Sequence, residues 1–388
     1  MSVSSRPSDG PTGGPRLDRQ RPVIPPRVVD CLRCPTCAGA VVFDEASGGV
    51  VCAAGHRIHL RQGYLDATAA STASATTAAA GAPITTPTAN RGAPHRALDG
   101  ALGPGADTTE RTMASFGYEW NAFDEVRDED DRLAAIYFRD LDLAALAGGL
   151  GLDAGCGKGR FSRVLAPHLD ALVALDGSSA VEAAARNLER FPNVAVVRAD
   201  LRSAPFAPGS FDFIACLGVL HHLDDPHEGF ERLLEYLAPG GRLLLYLYSR
   251  PSSFGWRRAA LAVATVVRRL TVKMAPARLR ALCRPVAWVL YAGVVLPGRV
   301  GARFGFGPLA RLPMDAYRDM PVRSLVLDTF DRLSAPVEHR YAWSDLEWWF
   351  TRAGMSVDAA RDETGWFIVA RKPGRTGLDA PTASDAGR

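Results

Sequence analysis

The chain has 388 residues, a formal net charge of +3 and 47% hydrophobic residues. That gives room for one large domain and one small one with ample core, at an apolar content ordinary for a soluble protein. No N-terminal apolar run has the form of a signal peptide, and no uninterrupted apolar stretch reads as long enough to cross a bilayer. Seven cysteines without an export signal then argue for reduced thiols in the cytoplasm rather than a disulfide framework.

Residues 1–26 are rich in Pro, Ser, Gly and Arg and read as a disordered arm. Residues 27–66 carry cysteines, glycines and short apolar runs (Val41-Val-Phe and Val50-Val51), which predict a small β-rich module. Within it Cys34-Pro-Thr-Cys37 is followed by Cys52-Ala-Ala-Gly-His56. Two turns, each supplying a pair of ligands, are what tetrahedral Zn2+ needs, so Cys34, Cys37, Cys52 and His56 are the candidate ligands. Cys31 allows a second pairing, because Cys31-x-x-Cys34-x-x-Cys37 holds two overlapping knuckles; the Cys-Pro-x-Cys turn favours Cys34 and Cys37. His59 reads as a surface residue. A module this small lacks a sufficient core, and bound metal would supply the missing folding energy. With Gln62-Gly63-Tyr64 after it, this pattern resembles the amino-terminal zinc ribbon of bacterial ribosomal RNA guanine-N1 methyltransferases, where the module helps to grip RNA. Residues 67–107 are Ala-, Thr- and Pro-rich and read as a linker.

Residues 108–371 read as one α/β domain. Its first part, 110–148, looks helical, with an acidic cluster at Asp124–Asp131. Gly149–Arg160 then predicts a buried strand, a turn built on Gly155, Gly157 and Gly159, and the start of a helix. A turn that tight needs residues without a Cβ, for φ > 0 and for close approach of a ligand to the backbone. Asp176 ends the next apolar run, where a carboxylate can accept hydrogen bonds from ribose hydroxyls. Arg160 stands where the dinucleotide fingerprint wants a third glycine, and Lys158 is followed by Gly159 rather than by Ser or Thr as in a P-loop.

Asp153-Ala-Gly-Cys-Gly-Lys-Gly159 instead resembles motif I of class I S-adenosylmethionine (SAM) methyltransferases. Asn193–Leu201 looks like the third strand of that family, ending in the Asp200 that reads adenine, with Leu201 beside it. Ser210–His222 looks like the fourth strand and its exit, with Leu217 against the cofactor. Leu237–Tyr246 looks like a helix end, a Pro-Gly-Gly turn and the fifth strand. The resemblance covers about 116–371. It implies a Rossmann-like seven-stranded mixed sheet with a helical insertion, and a SAM site formed by Asp153, Gly155, Gly157, Gly159, Asp176, Asp200, Leu201 and Leu217. Phe116-Gly-Tyr-Glu-Trp120 resembles a segment that packs over that site as a lid.

Methyl transfer from a sulfonium needs mainly proximity and orientation, and a base only where the acceptor must lose a proton. His221 and His222 follow the fourth strand at the switch-point crevice and are the catalytic candidates; helix capping and packing is the competing role. Tyr246 and Tyr248 end the fifth strand, where they can line an acceptor pocket. Glu338, His339 and Tyr341 are placed within its reach. The insertion at 250–335 is unusual, because 250–312 holds twelve Lys or Arg and no Asp or Glu. Arg257, Arg258, Arg268, Arg269 and Lys273 share one arc of a helix, with Leu261, Val266 and Leu270 largely elsewhere. Such a cap suits a membrane surface, a lipid-like acceptor or RNA phosphates. Ser344 and Glu347 form a capping box for a late helix, two strands close the sheet, and 372–388 read as a disordered tail.

The resulting expectation is a SAM-dependent methyltransferase acting on a small-molecule or lipid-like acceptor. It would be cytoplasmic, with peripheral membrane contact through 250–312. An RNA methyltransferase and a non-catalytic SAM-binding regulator are the alternatives.

Overall fold

The structure is a computed structural model that describes residues 24–72, 108–250, 256–312, 314, 317–363 and 365–374. Most of the expected arm, linker and tail lies outside the described residues. A short helix α1 (Pro26–Cys31) opens the described chain, followed by an antiparallel meander, β1 (Val41–Asp44), β2 (Gly49–Cys52), β3 (His56–Arg61) and β4 (Tyr64–Thr72). Helices α2 (Thr108–Ala122) and α3 (Asp128–Tyr137) precede the alternating part. That part runs β5 (Leu150–Ala154), α4 (Ser162–Leu165), β6 (Ala171–Asp176), α5 (Val181–Leu188), β7 (Val194–Arg198), β8 (Phe211–Leu217), α6 (Pro226–Tyr236) and β9 (Leu237–Leu247). The insertion is helical: α7 (Trp256–Thr271), α8 (Pro276–Leu290), a π turn at Tyr291–Val295, α9 (Leu296–Phe304), α10 (Gly307–Ala310) and α11 (Val322–Ser334). Helix α12 (Trp343–Arg352) and the hairpin β10 (Ser356–Asp362) and β11 (Trp366–Arg371) complete it.

The sheet order is β1-β2-β3-β4-β7-β6-β5-β8-β9-β11-β10. Strands β5 to β9 are parallel, and β11 runs antiparallel between β9 and β10. From β7 to β10 this is the expected seven-stranded mixed sheet. The central strands are buried along nearly their whole length (Leu152, Leu172, Val173 and Ile214 are fully enclosed), as parallel strands covered on both faces must be. Helix α5 buries Val181, Ala184 and Leu188, and α6 buries Phe230 and Leu233, at the period of one helix face.

The small module does not hang in front of this sheet. It extends it. Strand β4 pairs in parallel with β7, Tyr64 to Val196, Leu65 to Val197 and Asp66 to Arg198, and it runs to Thr72, past the expected boundary at 66. Val28, Leu32, Val50, Ile58 and Leu65 share one core with Leu152, Val173 and Val197. A small meander exposes a strand edge, and pairing that edge with β7 covers both liabilities at once.

Three local readings are corrected. Helix α12 begins at Trp343, and it is Asp345, not Glu347, that reaches back, accepting from the Ala342 amide at 2.9 Å. Arg268 is not on a solvated arc: it is buried and donates to Arg332 O at 2.8 Å and to Glu338 at 2.6 Å, while Val266 and Leu270 face outward. Finally, α8, the π turn and α9 form one helical rod, Pro276–Phe304, of 29 residues, long and apolar enough to cross a membrane. The π turn carries the helix past Gly293, and Pro297 sits in the first turn beyond it, where its missing N–H costs little.

Candidate functional site

The glycine turn leaves β5 at the carboxyl edge of the sheet. Gly155, Gly157 and Gly159 have φ of 81°, 55° and 80°. The amides of Gly155 and Cys156 donate to Leu175 O at 2.7 and 2.9 Å, and that of Gly157 to Asp176 Oδ2 at 2.9 Å. A Cβ on Gly155 would lie 2.2 Å from Val219 Cγ2, so the turn and the exit of β8 approach through the missing side chain. Asp153 is enclosed and accepts from Ser162 Oγ at 2.5 Å; burial pushes its carboxyl up to about 6 although that hydrogen bond opposes the shift.

Asp176 uses its other oxygen on Ser178 N and Oγ, at 2.8 and 2.6 Å. Asp200 accepts from Arg202 N, Nε and Nη2 at 2.8, 3.1 and 2.7 Å. Burial alone would raise the Asp200 carboxyl, but the Arg202 bonds outweigh it and hold it below its usual range. Leu201 and Leu217 are buried beside these groups. All eight cofactor candidates thus lie at the carboxyl ends of β5 to β8, where the strand order reverses and ligands bind in such sheets. Asp176 and Asp200 keep acceptor capacity for ribose and adenine donors, so the residue set fits SAM.

Helix α2 lies across the turn. The Trp120 indole is 3.0–3.2 Å from where a Cβ on Gly157 would sit, and Arg160 stacks over it at 4.8 Å. Asn121 Nδ2 donates to Ser179 O at 2.9 Å, tying α2 to the turn after β6. Phe116 packs on His222 at 4.9 Å between centroids. Between them Glu119 is 1% exposed, and its Oε2 has no partner among the described residues. Burial and then Asp331 push its carboxyl well above the usual range. Lys158 is taken by Asp130 Oδ2 at 3.0 Å and Glu125 O at 2.7 Å, and Asp131 pairs with Arg163. The acidic cluster at 124–131 therefore anchors α3 to the turn.

Beside α2 a polar cluster joins the end of β9 to α11. Tyr248 Oη donates to Asp331 Oδ2 at 3.0 Å, and Tyr317 donates to Asp328. Tyr137 packs on Tyr246 at 4.8 Å. His221 is fully buried and stacks on Tyr248 at 3.9 Å, and neither ring nitrogen has a partner among the described residues. Burial first, then His222, drives its pKa well below the usual value, so the ring is neutral. His222 is also held down by burial, and its Nδ1 lies 2.7 Å from Val337 O, a packed and capped position. Glu338 faces Arg268 and Arg340 as a structural ion cluster. Glu119, Tyr137, Asp328 and Asp331 escaped sequence reasoning; the available signal was the i, i+3 pair of carboxylates on a helix next to a wholly basic segment.

The module gathers its four candidate ligands. Cys34, Cys37, Cys52 and His56 place one ligand atom each within 4.8 Å of one another. Cys37 Sγ is 3.6 Å from Cys52 Sγ, and His56 Nδ1 is 3.5 Å from both Cys34 and Cys52. These separations suit a tetrahedral ion with bonds of about 2.3 Å to sulfur and about 2.0 Å to nitrogen. Cys31 turns away, bonding Val28 O at 3.1 Å, and burial pushes its thiol up to about 12.

A family model described as a methyltransferase domain matches residues 152–245. The chain is 34% identical over 110 residues to demethylmenaquinone methyltransferase of Clavibacter sepedonicus, covering 28% of this chain and 45% of that one. It is 33% identical over 110 residues to ubiquinone biosynthesis O-methyltransferase of Pseudomonas aeruginosa strain LESB58, covering 28% and 47%. An uncharacterized Synechococcus protein is 38% identical over 120 residues, covering 29% and 28%. The chain thus spans less than half the length of these curated relatives. A solved SAM-dependent methyltransferase from Mesorhizobium loti aligns at 18% identity and a TM-score of 0.38, over 63% of this chain and 100% of that one. Residues 152–245 are thus a SAM-dependent methyltransferase domain.

Proposed function

We propose that the protein transfers a methyl group from SAM to a small-molecule or lipid-like acceptor held between the end of β9 and α11. The observation that carries this reading is the cluster of half-buried phenols and carboxylates near the glycine turn, Tyr137, Tyr248, Asp328 and Asp331, with the buried His221 stacked on Tyr248. A polar cluster beside α2, with Tyr248 half-buried and His221 enclosed, suits a compact head group better than a polymer. Two matched relatives are named for demethylmenaquinone and for ubiquinone biosynthesis, and both quinones are lipids.

When bound, SAM supplies an electrophilic methyl whose displacement needs little from the protein beyond alignment. The chain's own residues do the rest. Asp176 and Asp200 accept from ribose and adenine, and the buried carboxylates favour a cationic ligand. Trp120 and Phe116 close the turn against water. His221, neutral and with ring nitrogens unpartnered among the described residues, accepts a hydrogen bond from the acceptor, and Tyr248 holds its ring in place. His222 positions the lid. Zinc in the Cys34, Cys37, Cys52 and His56 set is structural in this reading.

The test is methyl transfer from labelled SAM into a cell extract split into RNA, organic-soluble and aqueous small-molecule fractions. Label in the organic or small-molecule fraction, lost in Asp176→Ala, supports the proposal. Label in RNA sinks it.

A further inference from the structure

The cap formed by α7, α8 with α9, and α11 is apolar on two sides. Its inner side is conventional: Leu279, Cys283 and Ala287 of α8 pack with Leu325, Val326 and Phe330 of α11. Its outer side should be polar and is not. On α8, Val289 is 71% exposed and Trp288 59%, with Leu282 and Val286 on the same outer face. On α7, Arg268 and Thr271 turn inward while Val263, Val266 and Leu270 face out, Leu270 at 71% exposed. Most of the large apolar side chains that the described residues expose lie between Val263 and Leu309. Exposed apolar side chains gathered in one segment of the chain point to an interaction surface rather than to scattered surface residues.

Charge selects the occupant. Residues 250–312 hold no acidic side chain, and Arg269, Lys273, Arg278 and Arg284 are exposed among the apolar residues. A face that mixes Trp, Leu and Val with Arg and Lys matches the boundary of an anionic bilayer, where rings and aliphatic groups enter the acyl region and cations meet phosphates. The rod Pro276–Phe304 is long enough to span. However, one stripe of it is fixed to α11, and Arg280 and Arg284 fall within it, Arg280 stacked on Phe123 at 4.9 Å. A rod held along its length by a water-facing domain lies in the membrane plane.

We propose that the outer face of α7, α8 and α9 docks in the plane of an anionic lipid bilayer, with α11 and its polar cluster on the side of the cap away from the lipid. Docking itself does not depend on the methyl-transfer reading; only delivery of the acceptor from lipid rests on it.

The experiment is flotation of the full chain with vesicles of phosphatidylcholine alone and of phosphatidylcholine with phosphatidylglycerol. Binding should prefer the anionic vesicles and weaken with salt. Leu270→Asp/Val289→Asp should lower it at least tenfold, and Arg269→Glu/Lys273→Glu should abolish the anionic preference. SAM affinity, measured in the same preparations, should not move in either variant, which separates lost docking from lost folding or a failed methyl-transfer reading. Equal binding to neutral and anionic vesicles overturns the proposal. So does resistance to carbonate extraction, which would mean spanning. Salt-sensitive retention by RNA in place of vesicles, or a dimer that only Leu270→Asp/Val289→Asp dissolves, would assign the face to another occupant.

Discussion

Removing one sulfur ligand from the module should weaken SAM binding at the other side of β7, although no module residue is among the cofactor candidates. Cys37→Ser leaves a three-ligand set whose metal is easily lost, and structural zinc supplies much of the folding energy of such modules. Without it β4 loses its hold on β7, where three residue pairs join the two strands. At about 1 kcal/mol per hydrogen bond, the edge of the catalytic sheet loses about 3 kcal/mol of local stability. Asp200 lies two residues past the end of β7, and the turn after it is bonded to the module through Arg33 N to Pro205 O at 2.7 Å and Ala207 N to Cys31 O at 2.8 Å. If about half of that loss reaches the Asp200 turn, SAM affinity falls about tenfold, the equivalent of about 1.4 kcal/mol. The assay is calorimetric titration of SAM into the wild type, the chelator-treated wild type and Cys37→Ser, with metal content measured on each. A metal-free chain that binds SAM within about twofold of the loaded one would refute the coupling. Retained stoichiometric zinc in Cys37→Ser would refute the ligand set.

Gly155→Ala and Gly240→Ala compare one backbone strain in two settings, since φ is 81° and 79°. A Cβ at Gly240 meets nothing within 4 Å, so that variant should lose only about 1 kcal/mol in urea melts, whereas Gly155→Ala must displace Val219 and should lose SAM binding. Equal behaviour of the pair would refute the cradle. Asp153 is raised from 3.8 to about 6 in the folded chain, so its ionisation opposes folding. Its contribution to stability is fully present below about 4 and lost as pH rises through about 6, on the order of 3 kcal/mol. Asp153→Asn should therefore gain on the wild type across that window and hold the gain above it; a pH-independent difference in urea melts would contradict the burial argument. Glu338→Gln leaves Arg268 buried and unpaired, which should cost about 3–5 kcal/mol, while Arg268→Met/Glu338→Leu should cost much less. Similar melting temperatures for the two variants would mean the pair is not desolvated.

The part of the fold legible in the sequence is the part whose signals are local. Asp153, Asp176 and Asp200 stand at or just past the ends of apolar runs, and the glycines between them can serve only a turn with φ > 0, so strands and site emerge together. The pairing of β4 with β7 left no local trace. The segment from Tyr64 to Thr72 reads as the end of a small module and the start of an Ala/Thr-rich stretch, and nothing in it names a partner more than a hundred residues away. Arg268 was misread for a related reason. On a helical wheel an arginine belongs to the wet face, unless a carboxylate from a distant segment, here Glu338, meets it inside. With Arg268 inward, Val263, Val266 and Leu270 face outward beside Arg269 and Lys273, so one unseen ion pair changes which residues of α7 meet solvent.

That outward face bears on the acceptor. Helix α11 presents Asp328 and Asp331 to Tyr317 and Tyr248 on one side and packs its apolar side on α8, whose own outer stripe is bare. The solvent-facing apolar stripe and the phenols and carboxylates lie on opposite sides of the α8–α11 pair. A wholly polar acceptor would need no bare apolar face beside its site, and a wholly apolar one would leave Tyr248, Asp331, His221 and Glu119 desolvated without gain. Under the proposed function an amphiphile would satisfy both, its polar head at the cluster beside α11 and its tail toward the apolar side of the cap. A soluble head-group analogue without a tail should then be methylated with kcat preserved and KM raised, because the tail contributes binding alike in ground and transition states. A tail-less analogue that loses kcat instead would place the tail at the reacting site and leave the bare face without a part in the reaction.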